Sequence, residues 1–414
     1  MSRREYRVRA VLTVWLTWLS LIGTGGASWA ATQDASAPRL GAAGTVAPGV
    51  GYREFSLKGA HGPVLGHLLT VDLRDRRVSV DLLYPGAVGA RAKISQLAEK
   101  QRAVGGVNGD FFNIAEDQHP GVQATGAPVG PAVAAGRALK AAVPDGQRFG
   151  PALPRGATTE DVLAVGTNRV ARLDRLSLEG SVRTEEDDDL PLAGFNEYAL
   201  PVSGVGAYTS AWGAASRLRA TCGTDTDRAA SCSRTTVELT VRDGRVTSLR
   251  NRPGAGPIPR GTVVLVGREQ GARDLRRLAV GDRVRVTERL RSQRSGALRC
   301  ALGGFPILRG GRALDGLDGT TPAVRTAAGL ADGGRRLYLL ALDGRAAYRS
   351  GLTLAELARA MRKIGAVDAF NLDGGGSSTL VTRSAHSAHA TVRNHPSHGE
   401  ERAVANGIGV FVRS

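Results

Sequence analysis

Alternating apolar and polar positions predict β-strands along much of this chain. The stretch GHLLTVDLRDRRVSVDLLYP, residues 66–85, predicts two strands that form a hairpin around RDRR. TVELTVRDGRVTSLR, residues 236–250, predicts a second hairpin that turns at Asp243–Gly244, and TVVLVG and DRVRVTERL add further strands. The region from about residue 235 to 290 is therefore expected to be a small β-rich insertion.

Two helix-to-strand units interrupt this pattern. In the first, ISQLAEKQR has Ile94, Leu97 and Ala98 at helical spacing and leads into the apolar AVGGVNGDFF. In the second, Thr353 and Glu356 form a capping box, Gly365 ends the helix, and AVDAFNLD follows as a buried strand. Together these patterns predict an α+β fold: a mixed sheet with flanking helices and the small β-rich insertion.

Both of these strands end in the pattern Asn-x-Asp. The first carries Asn108 and Asp110, and the second carries Asn371 and Asp373. Residues two apart in an extended chain point to the same face, so each strand end presents an amide and a carboxylate together. Two such ends placed side by side would form one polar pocket from both halves of the chain.

A glycine-rich segment, NLDGGGSST, follows the second of these strands. It lacks the lysine of a Walker phosphate loop and does not match the G-x-S-x-G pattern of a nucleophile elbow. An Asp-Gly turn would explain Gly374 but not Gly375 or Gly376. Consecutive glycines let the backbone approach a ligand closely and direct N–H groups at an anion, so the segment favours a ligand site.

The N-terminal residues have the pattern of a targeting segment. Arginines precede an apolar run from Ala10 to Ile22, and small residues at Ser28 and Ala30 fit a cleavage site. We therefore predict a signal peptide over residues 1–30 and a flexible linker over 31–50, which is rich in Ala, Gly, Pro and Ser. No later stretch is apolar enough to span a membrane, so we expect no stable transmembrane segment after cleavage and a secreted or wall-associated protein.

The net charge indicates the class of partner, and the positions of the cysteines indicate a disulfide. The formal net charge is +17, but the arginines are scattered and form no basic stripe with interleaved aromatics, so we expect no nucleic-acid partner. The positive charge suits anionic substrates such as phosphodiesters or wall polymers. Cys222 and Cys232 flank a short polar loop and predict a disulfide, which leaves Cys300 as a buried thiol.

Several motifs, in this order, resemble the phosphodiester glycosidase family: GVNGDFFN, GGFPILRGG, VRTAAGL, LDGR, NLDGGGSST and NHPSHGEERAVANGIGVFV. The resemblance covers about residues 51–414, which we expect to be one domain that includes the β-rich insertion. It implies an enzyme that removes a sugar from a sugar-1-phosphodiester on a glycoconjugate or wall polymer. A non-catalytic carbohydrate-binding protein and a metal-dependent phosphodiesterase remain the alternatives.

The chemistry of this reaction suggests roles for the motif residues. Glycosidases use a pair of carboxyl groups, for which Asp110 and Asp373 are the candidates. The departing phosphate needs a cationic partner, and the planar guanidinium of Arg325 can hold its oxygens in a bidentate manner. The candidate substrate-binding residues lie in or beside the motifs: Asn108, Arg325, Asn371, Gly374, Gly375, Gly376, Ser377, Ser378, Glu401 and Arg402.

Some residues near these motifs receive structural interpretations. Asp343, in LDGR, is expected to be a turn residue, and Glu401 and Arg402 fit either a structural ion pair or a substrate contact. Four histidines between His386 and His398 lie in a loop that could bind a metal, but their spacing fits no helix face, so they are expected to be solvated. No cofactor is predicted, and a divalent metal stays open.

Overall fold

The computed structural model describes residues 36–186, 189–344, 351–384 and 387–413. Within these ranges the chain forms 26 strands and three α-helices, so the fold is mainly β. The predicted signal peptide and His386 lie outside the described residues. The helices are α1 (Ile94–Gln101), α2 (Gln270–Leu275) and α3 (Leu354–Ile364).

The strands are short and follow each other closely along the chain. The first thirteen are β1 (Arg39–Leu40), β2 (Gly44–Ala47), β3 (Val50–Gly59), β4 (Gly62–Asp72), β5 (Val78–Leu83), β6 (Gly105–Asn108), β7 (Ala132–Ala134), β8 (Arg137–Lys140), β9 (Asp161–Gly166), β10 (Ala171–Thr184), β11 (Asp189–Pro191), β12 (Gly194–Phe195) and β13 (Val205–Tyr208). The others are β14 (Thr236–Arg242), β15 (Arg245–Arg250), β16 (Thr262–Arg268), β17 (Val284–Ser292), β18 (Leu298–Gly303), β19 (Phe305–Arg309), β20 (Arg312–Ala313), β21 (Thr326–Ala331), β22 (Arg336–Leu342), β23 (Asp368–Leu372), β24 (Leu380–Thr382), β25 (Thr391–Val392) and β26 (Gly407–Val412).

These strands build four sheets. The largest has the order β1-β3-β4-β22-β21-β23-β19-β20, with β2 paired to β3, and a second sheet has the order β25-β24-β6-β26-β5. The remaining sheets are β12-β13-β16-β14-β15 and β11-β10-β9-β18-β7-β8, the latter with β17 paired to β10. The α+β prediction with flanking helices is therefore wrong. The two predicted helices exist, but they are short and their strands join antiparallel ladders, which need no helical crossover.

Three local predictions, two hairpins and a flexible linker, can be compared with the observed pairing of the strands. The second hairpin is confirmed, because β14 pairs with β15 across Asp243 and Gly244. The first is wrong: β4 pairs with β3 and β22, whereas β5 pairs with β26 in another sheet. The RDRR segment therefore connects two sheets. The flexible linker prediction also fails over residues 39–47, where β1 and β2 pair with β3.

The region from 235 to 290 does not form a sheet of its own. Its strand β16 pairs with β13, and β17 pairs with β10, so strands that precede the region complete its ladders. The β-rich character is confirmed, while the boundaries of an insertion stay a prediction.

Helix α3 follows its predicted caps closely. The backbone N–H of Glu356 donates to Thr353 Oγ1 at 3.2 Å, and the backbone N–H of Thr353 donates to Glu356 Oε2 at 2.9 Å. Gly365 ends the helix at a φ of 110°, which a side chain would disfavour. Leu357 and Met361 are fully buried against the largest sheet. None of the helices in the described parts of the chain has the length and hydrophobicity to cross a membrane.

The cysteine predictions are confirmed. Cys222 and Cys232 form a disulfide, and Cys300 is a free, buried thiol. Burial raises the pKa of Cys300 well above its usual value, so the thiol stays protonated and unreactive.

Candidate functional site

The two Asn-x-Asp strand ends meet, as the sequence pattern predicts. The backbone N–H of Asp373 donates to the carbonyl of Gly109 at 2.8 Å, and Asn108 Nδ2 donates to the carbonyl of Asp373 at 2.7 Å. Strand β6 from the second sheet is thus joined directly to the end of β23 in the largest sheet. One polar region therefore contains residues from both halves of the chain.

Asn108 connects the end of β6 to the end of β23, and we call this contact the joint. Its Oδ1 accepts hydrogen bonds from Thr326 Oγ1 at 2.8 Å and from the backbone N–H of Thr379 at 3.0 Å. Its side chain is fully buried, and both ends of its amide are engaged by the protein. The structure therefore gives Asn108 a structural contact in place of the predicted contact with sugar hydroxyls.

Asp110 is buried next to this joint, with 1% of its surface exposed. Its Oδ2 accepts from the backbone N–H of Gly130 at 2.6 Å, while Oδ1 has no hydrogen-bond partner among the described residues. Gly303 makes room for the carboxyl, because a Cβ there would lie 2.4 Å from Oδ2. Burial and, to a smaller extent, the charge of Asp373 raise the pKa of Asp110 to about 7, against the opposing effects of the Gly130 N–H, Lys140 and Arg148.

Lys140 lies near Asp110 and Glu197 lies near Lys140, and the sequence pattern singled out neither. Lys140 is fully buried, and its Nζ donates to the carbonyls of Val129 at 3.1 Å and Gly130 at 2.7 Å. Burial lowers the pKa of Lys140 to about 8 and raises that of Glu197 to about 8. The available signal was a lysine directly before the apolar run of residues 141–143, where a buried charge needs partners.

Asp373 is more accessible than Asp110 and is half-buried. Its Oδ1 accepts from the backbone N–H of Gly374 at 2.9 Å. Burial raises the pKa of Asp373 to about 6, whereas the hydroxyl of Ser377 and the charge of Arg402 oppose that rise. Burial therefore raises the pKa of both carboxyls, and that of Asp110 more than that of Asp373.

Asn371 differs from the other amide of the pair. It is 1% exposed, and neither its Oδ1 nor its Nδ2 has a hydrogen-bond partner within the described ranges. A buried amide with both ends unpaired costs free energy, which is typical of a site that a ligand or water completes. Asn371 thus remains a candidate for substrate contact.

The glycine segment folds back on the protein. The backbone N–H of Gly375 donates to the carbonyl of Val324 at 2.8 Å, and that of Gly374 is taken by Asp373. These two N–H groups are therefore unavailable to an anion, contrary to the prediction. At Gly376 the absence of a side chain makes room for Arg402, because a Cβ there would lie 2.5 Å from Arg402 Nη2.

The two serines after the glycines also have protein partners. The backbone N–H of Ser377 donates to the carbonyl of Gly374 at 3.1 Å, which closes a tight turn. Ser378 Oγ lies 3.1 Å from Thr326 Oγ1, next to the Asn108 joint. Ser377 is the one of the pair whose hydroxyl reaches Asp373.

Arg325 does not have the free guanidinium that a phosphate partner needs. It is 6% exposed, and its Nε donates to the carbonyl of Leu352 at 2.8 Å while Nη2 donates to that of Thr321 at 3.0 Å. Its side chain therefore binds the backbone that precedes α3. Arg402 is the cation at the glycine segment, with Nη1 3.4 Å from Ser377 Oγ.

Glu401 contacts neither Arg402 nor the region around Asp373. Its two carboxyl oxygens accept from the backbone N–H of Ser95 at 2.8 Å and from Ser95 Oγ at 2.6 Å, in the first turn of α1. A carboxylate at this end of a helix satisfies a free N–H group and interacts favourably with the helix dipole. Glu401 is thus a structural residue in this fold.

A second polar cluster, which sequence reasoning missed, lies beside the glycine segment. Asp343 is fully buried and lies 3.1 Å from His395 Nδ1 and 3.5 Å from His67 Nε2. Although burial alone would raise the pKa of Asp343, hydrogen bonds from His67 and His395 hold it below its usual value. The interpretation of Asp343 as a turn residue is therefore wrong.

This cluster shares one end of the largest sheet with Asp373. Asp343 follows β22 and Asp373 follows β23, and β21 lies between these strands, so the two backbones are about 10 Å apart. Ser397 Oγ donates to the carbonyl of Gly375 at 3.1 Å and so fixes the His395 segment against the glycine segment. The side chain of His395 is 51% exposed, which leaves its second ring nitrogen accessible.

One group of side chains in the described residues has the spacing of a metal site. It consists of His119, Cys222 and Cys232. Its two sulfur atoms are bonded to each other, and His119 Nδ1 is paired with Glu116 at 2.6 Å, so these residues do not fit a metal centre.

Comparisons with known proteins bear on the family and the fold. Residues 235–411 match the family model described as phosphodiester glycosidase. This segment includes Asp343, Asp373, His395 and Arg402, but β6 and Asp110 lie outside it. Among curated protein sequences, none matches the chain.

Solved structures show the same fold at low sequence identity. A hypothetical protein from Synechocystis has a TM-score of 0.69 at 22% identity, and the match covers 91% of this chain and 64% of that one. A protein from Burkholderia pseudomallei described as exported has a TM-score of 0.66 at 20% identity and covers 91% and 96%. The catalytic domain of zebrafish N-acetylglucosamine-1-phosphodiester alpha-N-acetylglucosaminidase gives 0.43 at 15% identity, with coverages of 92% and 89%, and is too distant to support an argument.

Proposed function

We propose that this chain, whose residues 235–411 match the phosphodiester glycosidase family, is a secreted hydrolase that releases a sugar from a sugar-1-phosphodiester by carbon–oxygen cleavage. The observation that carries the proposal is the meeting of β6 and β23, which brings Asp373 and the more deeply buried Asp110 into one polar region. The disulfide is consistent with export, because such bonds persist in oxidising compartments.

The acidic side of the site suits the sugar. A carboxylate stabilises the positive charge that develops at the anomeric carbon, and Asp373 either attacks this carbon or activates water for the attack. Asp110 is too buried to touch a substrate in this structure. Its proposed part is electrostatic: a neutral Asp110 leaves Asp373 as the ionised member of the pair.

The basic side suits the phosphate. Because the guanidinium of Arg325 is engaged by the backbone, we assign the phosphate to Arg402 and His395, which lie on either side of the glycine segment. As the bond between the anomeric carbon and oxygen breaks, its electron pair leaves with the phosphate. The guanidinium of Arg402 would offset this charge, and the accessible ring nitrogen of His395 would lie beside it.

The test is hydrolysis of a panel of sugar-1-phosphate alkyl diesters in heavy-oxygen water. We expect free sugar with the label on its anomeric oxygen and an unlabelled phosphomonoester. Label in the phosphate, or activity that disappears in a chelator, would instead indicate a metal-dependent phosphodiesterase. Tight saccharide binding without any product would indicate a binding protein.

A further inference from the structure

A second cleft of about 830 Å³ lies along β5 and β26, away from Asp373. Its lining is unusually basic, with five arginines: Arg102, Arg137, Arg260, Arg299 and Arg413. These residues come from five separate parts of the sequence, so no single run of charge predicts the cleft. The fold assembles it.

The charges in this cleft are not balanced. Asp81 is the acidic residue of the lining, and its carboxylate is paired with Arg299 at 3.0 Å. The other four arginines are exposed and have no carboxylate partner among the described residues. In another cleft, by contrast, Arg175 and its acidic partner Asp161 both belong to the lining, 3.3 Å apart.

The cleft also offers surface for a carbohydrate. Tyr84 and Phe411 are half-buried in its wall, and Gln101, Ser79 and Ser210 add amide and hydroxyl groups. Aromatic rings present an apolar face, amides and hydroxyls bond to sugar hydroxyls, and arginine binds phosphate or carboxylate in a bidentate manner. This combination fits a polymer that carries both sugars and negative charges.

Distance separates the cleft from the candidate site. Gly407, at the start of β26, pairs with Asn108 at the joint, whereas Phe411 and Val412 lie at the far end of that strand. Five residues of extended chain span about 17 Å. A single sugar-1-phosphodiester cannot reach both places, but several linked units can.

We propose that this arginine cleft is a binding site for an anionic saccharide polymer, separate from the site that contains Asp373. The anionic character of the ligand follows from the unpaired arginines. The assignment to a saccharide, and not to another polyanion, rests on the proposed function.

The binding test uses the full chain with four arginines replaced: Arg102→Gln, Arg137→Gln, Arg260→Gln and Arg413→Gln. A matched control carries the same change at four exposed arginines scattered elsewhere, Arg39, Arg242, Arg252 and Arg312. The probe is a fluorescent capsular polysaccharide built on sugar-1-phosphate linkages, with neutral dextran for comparison. We expect the cleft variant to lose about tenfold in affinity and the control to lose less than twofold, because scattered charges are screened by salt.

Three results would overturn the proposal. Equal losses in the two variants would show that net charge, and not the cleft, binds the polymer. Equal binding of dextran would remove the role of charge. Tighter binding of a 20-nucleotide DNA strand or of phosphatidylglycerol vesicles, lost in the same variant, would assign the cleft to a different class of partner.

Kinetics separate this proposal from the proposed function. If both hold, the cleft variant has a raised KM for the polymer and an unchanged kcat, and it hydrolyses a small sugar-1-phosphodiester normally. Polymer binding that depends on the cleft in a protein without hydrolytic activity would leave the cleft assignment standing and reject the proposed function. If the cleft variant instead turns over the polymer normally, the proposed function stands and the cleft assignment is rejected.

Discussion

The pattern Asn-x-Asp occurs at the ends of β6 and β23, and its polar groups have different surroundings at the two places. At the end of β6, Asn108 is fully hydrogen-bonded and Asp110 is buried. At the end of β23, Asn371 has no partner for either end of its amide among the described residues, and Asp373 is half-buried beside Arg402. One copy of the pattern joins the sheets, and the other is left with unused polar groups.

This difference shows that residue type and spacing alone do not define a catalytic group. Both aspartates follow a buried strand and both belong to motifs of the same family resemblance. What separates them is the number of protein partners around each, which is set by contacts between distant parts of the chain. We expect the β6 end to control stability and the β23 end to control turnover.

The largest effect should come from Asp373→Asn. The change keeps the shape of the side chain but removes its negative charge, so activity on a sugar-1-phosphodiester should fall by about 10² to 10⁴-fold. Initial rates and denaturation midpoints of the same preparation test this. Asp368→Asn, at the other end of β23, is the matched control and should be fully active. A fully active Asp373→Asn protein would remove Asp373 from the site.

A pH effect on stability should distinguish Asp110 from Asp373. Because burial raises the pKa of Asp110 to about 7, the folded state holds a proton that the unfolded state releases near pH 4. The stabilising contribution is therefore complete below pH 4 and is lost as pH rises to about 7, by on the order of 4 kcal/mol.

Urea denaturation at pH 4, 5.5 and 7 measures this dependence. In Asp110→Asn the part of the decline that comes from Asp110 should disappear, which leaves the parts from Asp373 and Glu197, whereas Asp373→Asn should remove a smaller part because Asp373 has the smaller rise in pKa. An unchanged pH profile in Asp110→Asn would mean that its carboxyl is ionised and solvated in the folded protein.

A smaller effect is expected on the free energy of unfolding when Asn108 or Asn371 is replaced by alanine, and the two replacements should differ. Asn108→Ala leaves the backbone N–H of Thr379 and the carbonyl of Asp373 without a partner, which should cost about 2 to 4 kcal/mol. Asn371→Ala removes an amide that has no partner, and should change the free energy of unfolding by less than about 1 kcal/mol.

Kinetic measurements on the same two variants complete this test. Asn371→Ala should raise KM for the sugar phosphodiester while the protein remains as stable as the parent. If instead Asn371→Ala unfolds and Asn108→Ala folds normally with altered KM, the assignment of the two strand ends is reversed.

Local signals in the sequence predicted part of this arrangement. The capping box and terminal glycine of α3, the disulfide and the repeated Asn-x-Asp pattern depend on residues close together in the chain, and the structure contains all of them. Each rests on short-range chemistry, which a sequence displays directly.

Other features depend on contacts that a sequence does not display. Asp343 looked like a turn residue because its partners, His67 and His395, are 276 and 52 residues away. Arg325 looked free because one of the two carbonyls that hold it, that of Leu352, becomes a neighbour only when the segment before α3 folds over it. The fold class was misjudged for a related reason, since two helices preceding strands suggested layers that the antiparallel ladders do not require.

The joint between β6 and β23 also determines when this site can form during synthesis. Asn108 pairs with Asp373 across 265 residues, and β6 is bordered by β24 and β26 from the last tenth of the chain. A ribosome-bound chain that stops before residue 407 lacks β26, so β6 would present an unpaired edge. Contacts of such long range make folding slow, and a chaperone that covers β6 until β26 emerges would protect the nascent protein from aggregation.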